Sequence, residues 1–450
     1  MKDVVDLNAA VARSASIAEV LIAPGALRDA GWLYVRVFGQ NPACLIADEN
    51  TWAAAGTAVE AALTASGITT RRHILPAKPR PKPTVELADK LREVLARDQS
   101  TPIAIGSGVI NDLVKYAAFC LERPYLCVAT AASMDGYTSA GAPLSDKGFK
   151  KTIATRPARA VLADLDVIAA APPAMLGWGY GDLAGKVPAG GDWLIADALG
   201  IERLDDVAWP MVQNGLAGWL SAPERLAQGD RAALDGLFAG LTLIGLAMEA
   251  HGSSRPASGA DHQIAHIWEM EDLSQQGERV SHGACVSVGC VAVLQLYDWL
   301  LAQDLTQLDV PGIVARAPNP ADQATIIRAA FGPGEIAERA VVETQAKAVT
   351  PDHHLARLNL LRQVWPDLAR RLRDRLMPAQ DMIRRLQAIG APSSSTDIGV
   401  SRAHLRATVA KARYLRDRYT VLDLLEETGL LSTAIDAVFP GGKGLGHGRL

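Results

Sequence analysis

Three stretches of the chain gather side chains that can bind a metal. HGSSRPASGADHQIAH carries His262 and His266 at a spacing of four, which puts both imidazoles on one face of a helix. RVSHGACVSVG carries His282 at the mouth of an apolar helix, and GWGYGDLAGK carries Asp182 in a glycine-rich entry to a helix. The chain has nine histidines, and four of them (His251, His262, His266 and His282) fall within residues 251–282, a clustering that surface filler does not produce. The i, i+4 pair is the spacing of HExxH, but Gln263 stands where that motif has its glutamate, so the general base of a zincin protease is missing. Two imidazoles with one carboxylate leave coordination positions open for water or substrate. Zinc suits such ligands, and nickel, iron or manganese also accept them. Any one of these histidines alone reads better as a hydrogen-bonded buried imidazole than as a ligand. The group is what points to a metal.

A second constellation can hold a phosphate. Gly106-Ser107-Gly108 lies between an apolar strand pattern and a helical one. Glycines there let the backbone approach a pyrophosphate, and the free N–H groups of the helix start attract anions. The third glycine of GxGxxG is absent, so the turn alone is also compatible with a plain tight turn. Asp48, closing the strand pattern CLIAD, is placed to accept hydrogen bonds from an adenosine ribose, and it reads equally as a helix N-cap. Asp112 and Lys115 follow in the helix after the glycine turn, where an acid is often only a partner for the helix dipole.

The elements that must carry these residues change character along the chain. In the first third, CLIADEN, TTRRHIL, PIAIGSG and PYLCVATAA read as strands. TWAAAGTAVEAALTASG, PTVELADKLREVLAR and NDLVKYAAFCLERP read as the helices between them. This β–α–β–α–β order predicts a parallel sheet with helices on both faces. From Pro172 onward helical patterns dominate, so the fold class is α/β followed by all-α. The boundary falls near Ala169–Pro173, giving domains 1–171 and 172–450. The basic, proline-broken connector Arg71–Lys82 reads as a solvated loop.

Composition bounds the rest. With 450 residues, two domains are expected. Forty-five basic and 49 acidic residues give a formal charge of -4, which offers no basic excess for nucleic acid. The five cysteines (Cys44, Cys120, Cys127, Cys285 and Cys290) form no CxxC pair and read as small buried hydrophobes in a reducing, cytoplasmic compartment. The most apolar stretches, Gly236–Ala250 and Gly283–Tyr297, are shorter than the roughly 20 residues of a bilayer span and read as buried helices.

Taken together, GSGVINDLVKYAA, TAASMDGYTSAGAPL, GYGDLAGK, SSRPASGADH, SHG and RDRYTVLDLLEETGLL resemble, in order and over roughly residues 40 to 435, the glycerol-1-phosphate dehydrogenases. These belong to the iron-containing alcohol dehydrogenase and dehydroquinate synthase superfamily. The resemblance implies an N-terminal Rossmann-like domain, a C-terminal helical domain and an active site in the cleft between them. It puts the metal ligands on Asp182, His262 and His282, and the dinucleotide turn on Gly106, Ser107 and Gly108, with Asp112 just inside the helix. Thr130 and Ser133 become neighbours of the cofactor. Asp135, in SMDG, falls near substrate and nicotinamide, and His266 becomes a proton relay.

The activity so implied is reversible reduction of dihydroxyacetone phosphate to sn-glycerol 1-phosphate. It needs NAD(H) or NADP(H) and one divalent metal, with zinc expected and nickel or iron fitting the same ligands. Lys150, Lys151 and Arg255 are the candidate donors to the substrate phosphate. The expected partner is this small phosphorylated ketone or polyol, with no nucleic acid and no membrane span, in a homo-oligomer. Two other enzymes share this frame, a related polyol or glycerol dehydrogenase and a sugar-phosphate cyclase of the dehydroquinate synthase type. In the cyclase type the first metal ligand is a glutamate, where this chain has Asp182. A catalytically silent NAD-binding protein has no reason to keep all three ligands.

Overall fold

The structure, a computed structural model, describes residues 4–146 and 149–441. Short apolar runs between helices form a six-stranded parallel sheet from β1 (Glu19–Ala23), β2 (Ala43–Asp48), β3 (Thr70–Leu75), β4 (Thr101–Gly106), β5 (Leu126–Ala129) and β8 (Ala160–Asp164), in the spatial order β1-β8-β5-β4-β2-β3. A hairpin of β6 (Gly141–Asp146) and β7 (Phe149–Ala154) precedes β8. The expected strands β2 to β5 are all present. The edge strand β1, the strand β8 and the hairpin went unread, because five- and six-residue apolar runs carry too little periodicity to separate strand from helix.

The strands β2 and β4 are apolar on both sides, as parallel strands under two helical layers must be. On one face Leu45, Ile103, Ile105, Val128 and Leu162 pack with Leu33 and Tyr34 of α1 (Ala30–Phe38) and Val59 and Leu63 of α2 (Thr57–Ala65). On the other lie α3 (Val85–Leu95) and α4 (Gly108–Cys120), the latter starting directly from β4. The chain runs from β2 outward to β3, then returns to the far side of β2 to form β4. The sheet order therefore reverses between β2 and β4. Asp48 ends one of these strands and Gly106 the other, at the point where open α/β sheets bind their ligands.

Contacts divide the chain into two compact units that are not contiguous in sequence. The first is Met1–Leu183, Asp205–Ala257 and Ala388–Ala391, and the second is Ala184–Leu204, Ser258–Gln387 and Pro392–Leu450. The strand-forming composition ends near residue 171, but α5 (Pro173–Ala184) stays with the sheet unit almost to its end. The next helix, α6 (Lys186–Ala198), opens the second unit, and α7 (Arg231–His251) returns to the first. The second unit continues with α8 (Ala260–Met270), a two-stranded β9–β10 turn (Ser274–Gln275 and Glu278–Arg279), α9 (His282–Leu300), α10 (Pro351–Arg375), α11 (Arg402–Ala412) and α12 (Val421–Glu427). The two apolar stretches noted above become helices of 21 and 19 residues, longer than their apolar cores. By length and composition either could cross a bilayer, yet 61% and 83% of their apolar windows lie inside the protein.

Four of the five cysteines are buried as expected, whereas Cys120 is exposed at the end of α4. Burial pushes the Cys44 and Cys127 thiols up to about 11 and about 12, which removes them as nucleophiles.

One buried carboxylate fixes the β1 edge. Asp164, at the end of β8, accepts from Gly25 N and Asp166 N at 2.9 Å each and from Leu27 N at 3.0 Å, tying the turn after β1 to the neighbouring strand. Asp164→Ala strands these donors, each worth about 1–3 kcal/mol when buried and unpaired. Urea unfolding should show a loss of roughly 2–4 kcal/mol, and a loss under about 0.5 kcal/mol would contradict this role.

Candidate active site and metal centre

In the first unit the site is built around the loop from Thr130 to Ser139, which four elements hold from different sides. Thr130 N donates to Gly106 O at 3.2 Å, tying the loop to the glycine turn. Lys115 of α4 is fully buried, and its Nζ donates to Gly136 O at 2.8 Å, Gly141 O at 3.0 Å and Ser139 Oγ at 3.4 Å, with the Asp112 carboxylate at 3.4 Å balancing its charge. From α7, Thr242 O accepts from Thr138 Oγ1 at 2.7 Å, and a Cβ on Gly245 would stand 2.1 Å from the same hydroxyl. The fourth side is α5. A Cβ on Gly179 would lie 1.9 Å from Ala132 O, so only glycine allows this helix so close to the loop. Asp182 follows three residues later on the same helix face. Its Oδ2 accepts from Asp135 N at 3.0 Å, and the side chain is completely buried. Asp182 thus lies in the last turn of α5 rather than at a helix entry. Gly177 and Gly179 of GWGYGD serve packing along that helix, against Ala391 and Ala132.

The glycine turn is equally constrained. A Cβ on Gly106 would meet Ile110 at 2.7 Å, and one on Gly108 would meet Met134 at 3.3 Å. Ser107 caps α4 in extended conformation without spending its side chain on the cap. The 13-residue α4 therefore opens on backbone N–H groups that no cap side chain takes, and Thr130 and Ser133 in the next loop are both buried. Asp48 forms a capping box, its Oδ1 accepting from Thr51 N at 2.8 Å and its own N donating to Thr51 Oγ1 at 3.1 Å. That cap holds the carboxylate at the carboxyl end of β2.

In the second unit, α8 and α9 carry the histidines. Asp192 of α6 organises their start. Its Oδ2 accepts from Ala260 N at 2.7 Å, and its Oδ1 accepts from Tyr297 Oη at 2.6 Å and Val421 N at 2.9 Å. A Cβ on Gly259 would lie 2.4 Å from Asp192 Oδ2, and one on Gly289 would lie 2.5 Å from Asp261 O, so glycines again set the approach of neighbouring elements. The result is a cluster of imidazoles, with ring centres 5.3 Å apart for His262 and His282, 6.0 Å for His262 and His266, and 5.7 Å for the stacked His266 and His282.

Two buried carboxylates orient the rings. Asp261 Oδ2 stands 2.7 Å from His262 Nδ1, and Glu269 Oε1 stands 3.0 Å from His282 Nδ1. An ionised carboxylate only accepts, so each Nδ1 carries the proton and each Nε2 presents its lone pair. This is the arrangement that metal-ligating histidines use. Sequence reasoning passed over Asp261 and Glu269. The signals were there, an acid adjacent to His262 and another three residues after His266. Lys115 carries no local signal, because its partners lie some twenty residues on in a loop.

The remaining candidates are less tied to these features. Arg255 is buried at 1% exposure rather than on the surface, and its N donates to Ser253 Oγ at 3.2 Å. Lys151 pairs with Asp146 at 3.1 Å. The backbone of Lys150 is in β7, and its side chain lies outside the described residues.

Residues 21–172 match the iron-containing alcohol dehydrogenase family model. The chain is 36% identical to the Bacillus subtilis glycerol-1-phosphate dehydrogenase [NAD(P)+] over 263 residues, 58% of this chain and 66% of that one. It is 32% identical to the Bacillus licheniformis protein of the same name over 77% of this chain and 73% of that one. For the Methanothrix thermoacetophila protein of that name, the figures are 30% identity over 76% and 92%. The chain belongs to the glycerol-1-phosphate dehydrogenase family. The solved glycerol dehydrogenase of Schizosaccharomyces pombe superposes with a TM-score of 0.61 at 18% identity over 94% of this chain and 89% of that one. At that identity the likeness is one of fold, a Rossmann-like N-terminal part followed by helices.

Gly179→Ala should push α5 off the loop and open the Asp182–Asp135 contact. Circular dichroism should keep its helical signal while activity falls at least tenfold. Activity within twofold of wild type would show that the close approach is not needed.

Proposed function

We propose that this chain reduces dihydroxyacetone phosphate to sn-glycerol 1-phosphate, reversibly, with NAD(P)H and one divalent metal held by Asp182, His262 and His282. The observation that carries the reading is the pair of carboxylate-braced imidazoles on α8 and α9, Asp261 on His262 and Glu269 on His282, in a chain of this family. Both rings are already turned for ligation, and Asp182 is a buried acid, so the donor set fits a divalent cation of zinc type. Nickel and iron accept the same donors. When bound, the metal supplies Lewis-acid polarisation of the C2 ketone, and NAD(P)H supplies the hydride.

The chain's own residues do the rest. Gly106, Ser107 and Gly108, at the start of α4, receive the pyrophosphate on backbone N–H groups, with Asp112 inside the helix and Thr130 and Ser133 alongside. Asp48, at the end of β2, accepts from the adenosine ribose, which favours NADH over NADPH. Asp135 lies beside substrate and nicotinamide, with its backbone N–H fixed on Asp182. His266 passes a proton to the new alcohol oxygen in reduction and takes it back in oxidation. Lys150 and Arg255 meet the substrate phosphate.

After dialysis against metal-free buffer, which strips weakly held ions, His262→Ala and His282→Ala should each have lost bound metal and activity together, and Asp261→Asn should weaken metal affinity roughly 10–100-fold. Full metal content in either alanine variant would remove this ligand set.

The substrate claim is tested with the free ketone. Hydrogen bonds to a charged phosphate contribute about 1.5–3 kcal/mol each, so unphosphorylated dihydroxyacetone should show kcat/KM lower by roughly 100-fold. Equal values would move the protein toward polyol oxidation without a phosphate, and a product of sn-glycerol 3-phosphate hand would contradict the reading outright.

A further inference from the structure

Beside the proposed ligands the second unit carries another set of donors. His266 and Glu269 sit three residues apart on one face of α8, and His282 opens α9 against them. One ligand atom from each lies within 4.8 Å of the other two. Glu269 is the hub, with Oε1 3.0 Å from His282 Nδ1 and Oε2 3.9 Å from His266 Nε2. Two ligands on one tetrahedral zinc stand about 3.4 Å apart, given bonds of about 2.1 Å. Each taken to the nearer Glu269 oxygen, the two observed separations bracket that value, and side-chain rotation would have to bring the three atoms, within 4.8 Å of one another, onto one ion. Glu269 is buried, while the His266 and His282 side chains are 20% and 29% exposed, which leaves an ion a path from solvent.

We infer that His266, Glu269 and His282 form a second divalent-cation site, weaker than the first and filled by excess zinc. The site lies wholly within the second unit and needs neither Asp182 nor His262. It is the weaker of the two because zinc must displace the proton on His282 Nδ1, releasing it to solvent, and break the hydrogen bond to Glu269. With both sites filled, each ring nitrogen of His282 serves a different cation, which adds charge repulsion. Its consequence for activity rests on the proposed function. An ion here withdraws Glu269 from bracing His282 and occupies the proton relay His266, so excess zinc inhibits.

Equilibrium dialysis against buffered zinc, with metal counted by mass spectrometry, tests the site directly. Wild type should saturate at two zinc ions per chain, and His266→Ala and His266→Gln at one. The double variant Asp182→Asn/His262→Ala should keep one, the weaker. Two ions on both His266 variants, circular dichroism showing them folded, would overturn the site. A single ion on wild type that the double variant loses would overturn this site alone and leave the proposed function standing. No zinc on any of the proteins would overturn both.

Discussion

The approach of α5 to the loop after β5 is the constraint from which the first unit's chemistry follows. The helix backbone lies so near Ala132 O that no side chain fits at Gly179. That closeness lets Asp182, one turn on, meet Asp135 N and makes a buried carboxylate tolerable, since a buried acid needs hydrogen-bond partners. The same loop is tied to the glycine turn through Thr130, to α4 through Lys115, and to α7 through Thr138. A proposed metal ligand, a proposed dinucleotide turn and a proposed substrate contact are thereby fixed relative to one another. Each connection is made by a group with no freedom to move, whether glycine backbone, buried ammonium or buried hydroxyl.

The second unit solves a different problem, the aim of imidazole rings. A histidine on a helix rotates about two bonds, and a ligand set is useful only when its lone pairs converge. Asp261 and Glu269 remove that freedom by holding Nδ1, and Asp192 holds the start of α8 against α9 and α12. All three carboxylates are buried. Their cost in desolvation is offset by N–H and O–H donors at 2.6 to 3.0 Å.

Much of this was legible in the sequence. The strands from Cys44 to Ala129 announce themselves as apolar runs between helical periods, and the motif order identified the family. The residues with intrinsic chemistry, Asp182, His262, His266 and His282, stand out by type and clustering. Other features depend on distant partners and leave no local trace. The role of Lys115 shows only once the loop at Gly136 folds over it. Gly179 reads as a helix-weakening residue until Ala132 is placed beside it. The interleaving of the two units follows from which face each helix buries, and a change in composition near residue 171 cannot convey that. The strands β1 and β8 are defined by pairing with each other rather than by their own five residues.

The central claim is that Asp182 and two carboxylate-braced histidines hold the metal. X-ray absorption on protein loaded with one equivalent of zinc reads that shell without any mutation. The expected spectrum has nitrogen and oxygen neighbours at about 2.0–2.1 Å with the outer-shell scattering of two imidazoles, and no sulfur. A sulfur shell near about 2.3 Å, or a zinc with fewer than two imidazoles, would contradict it.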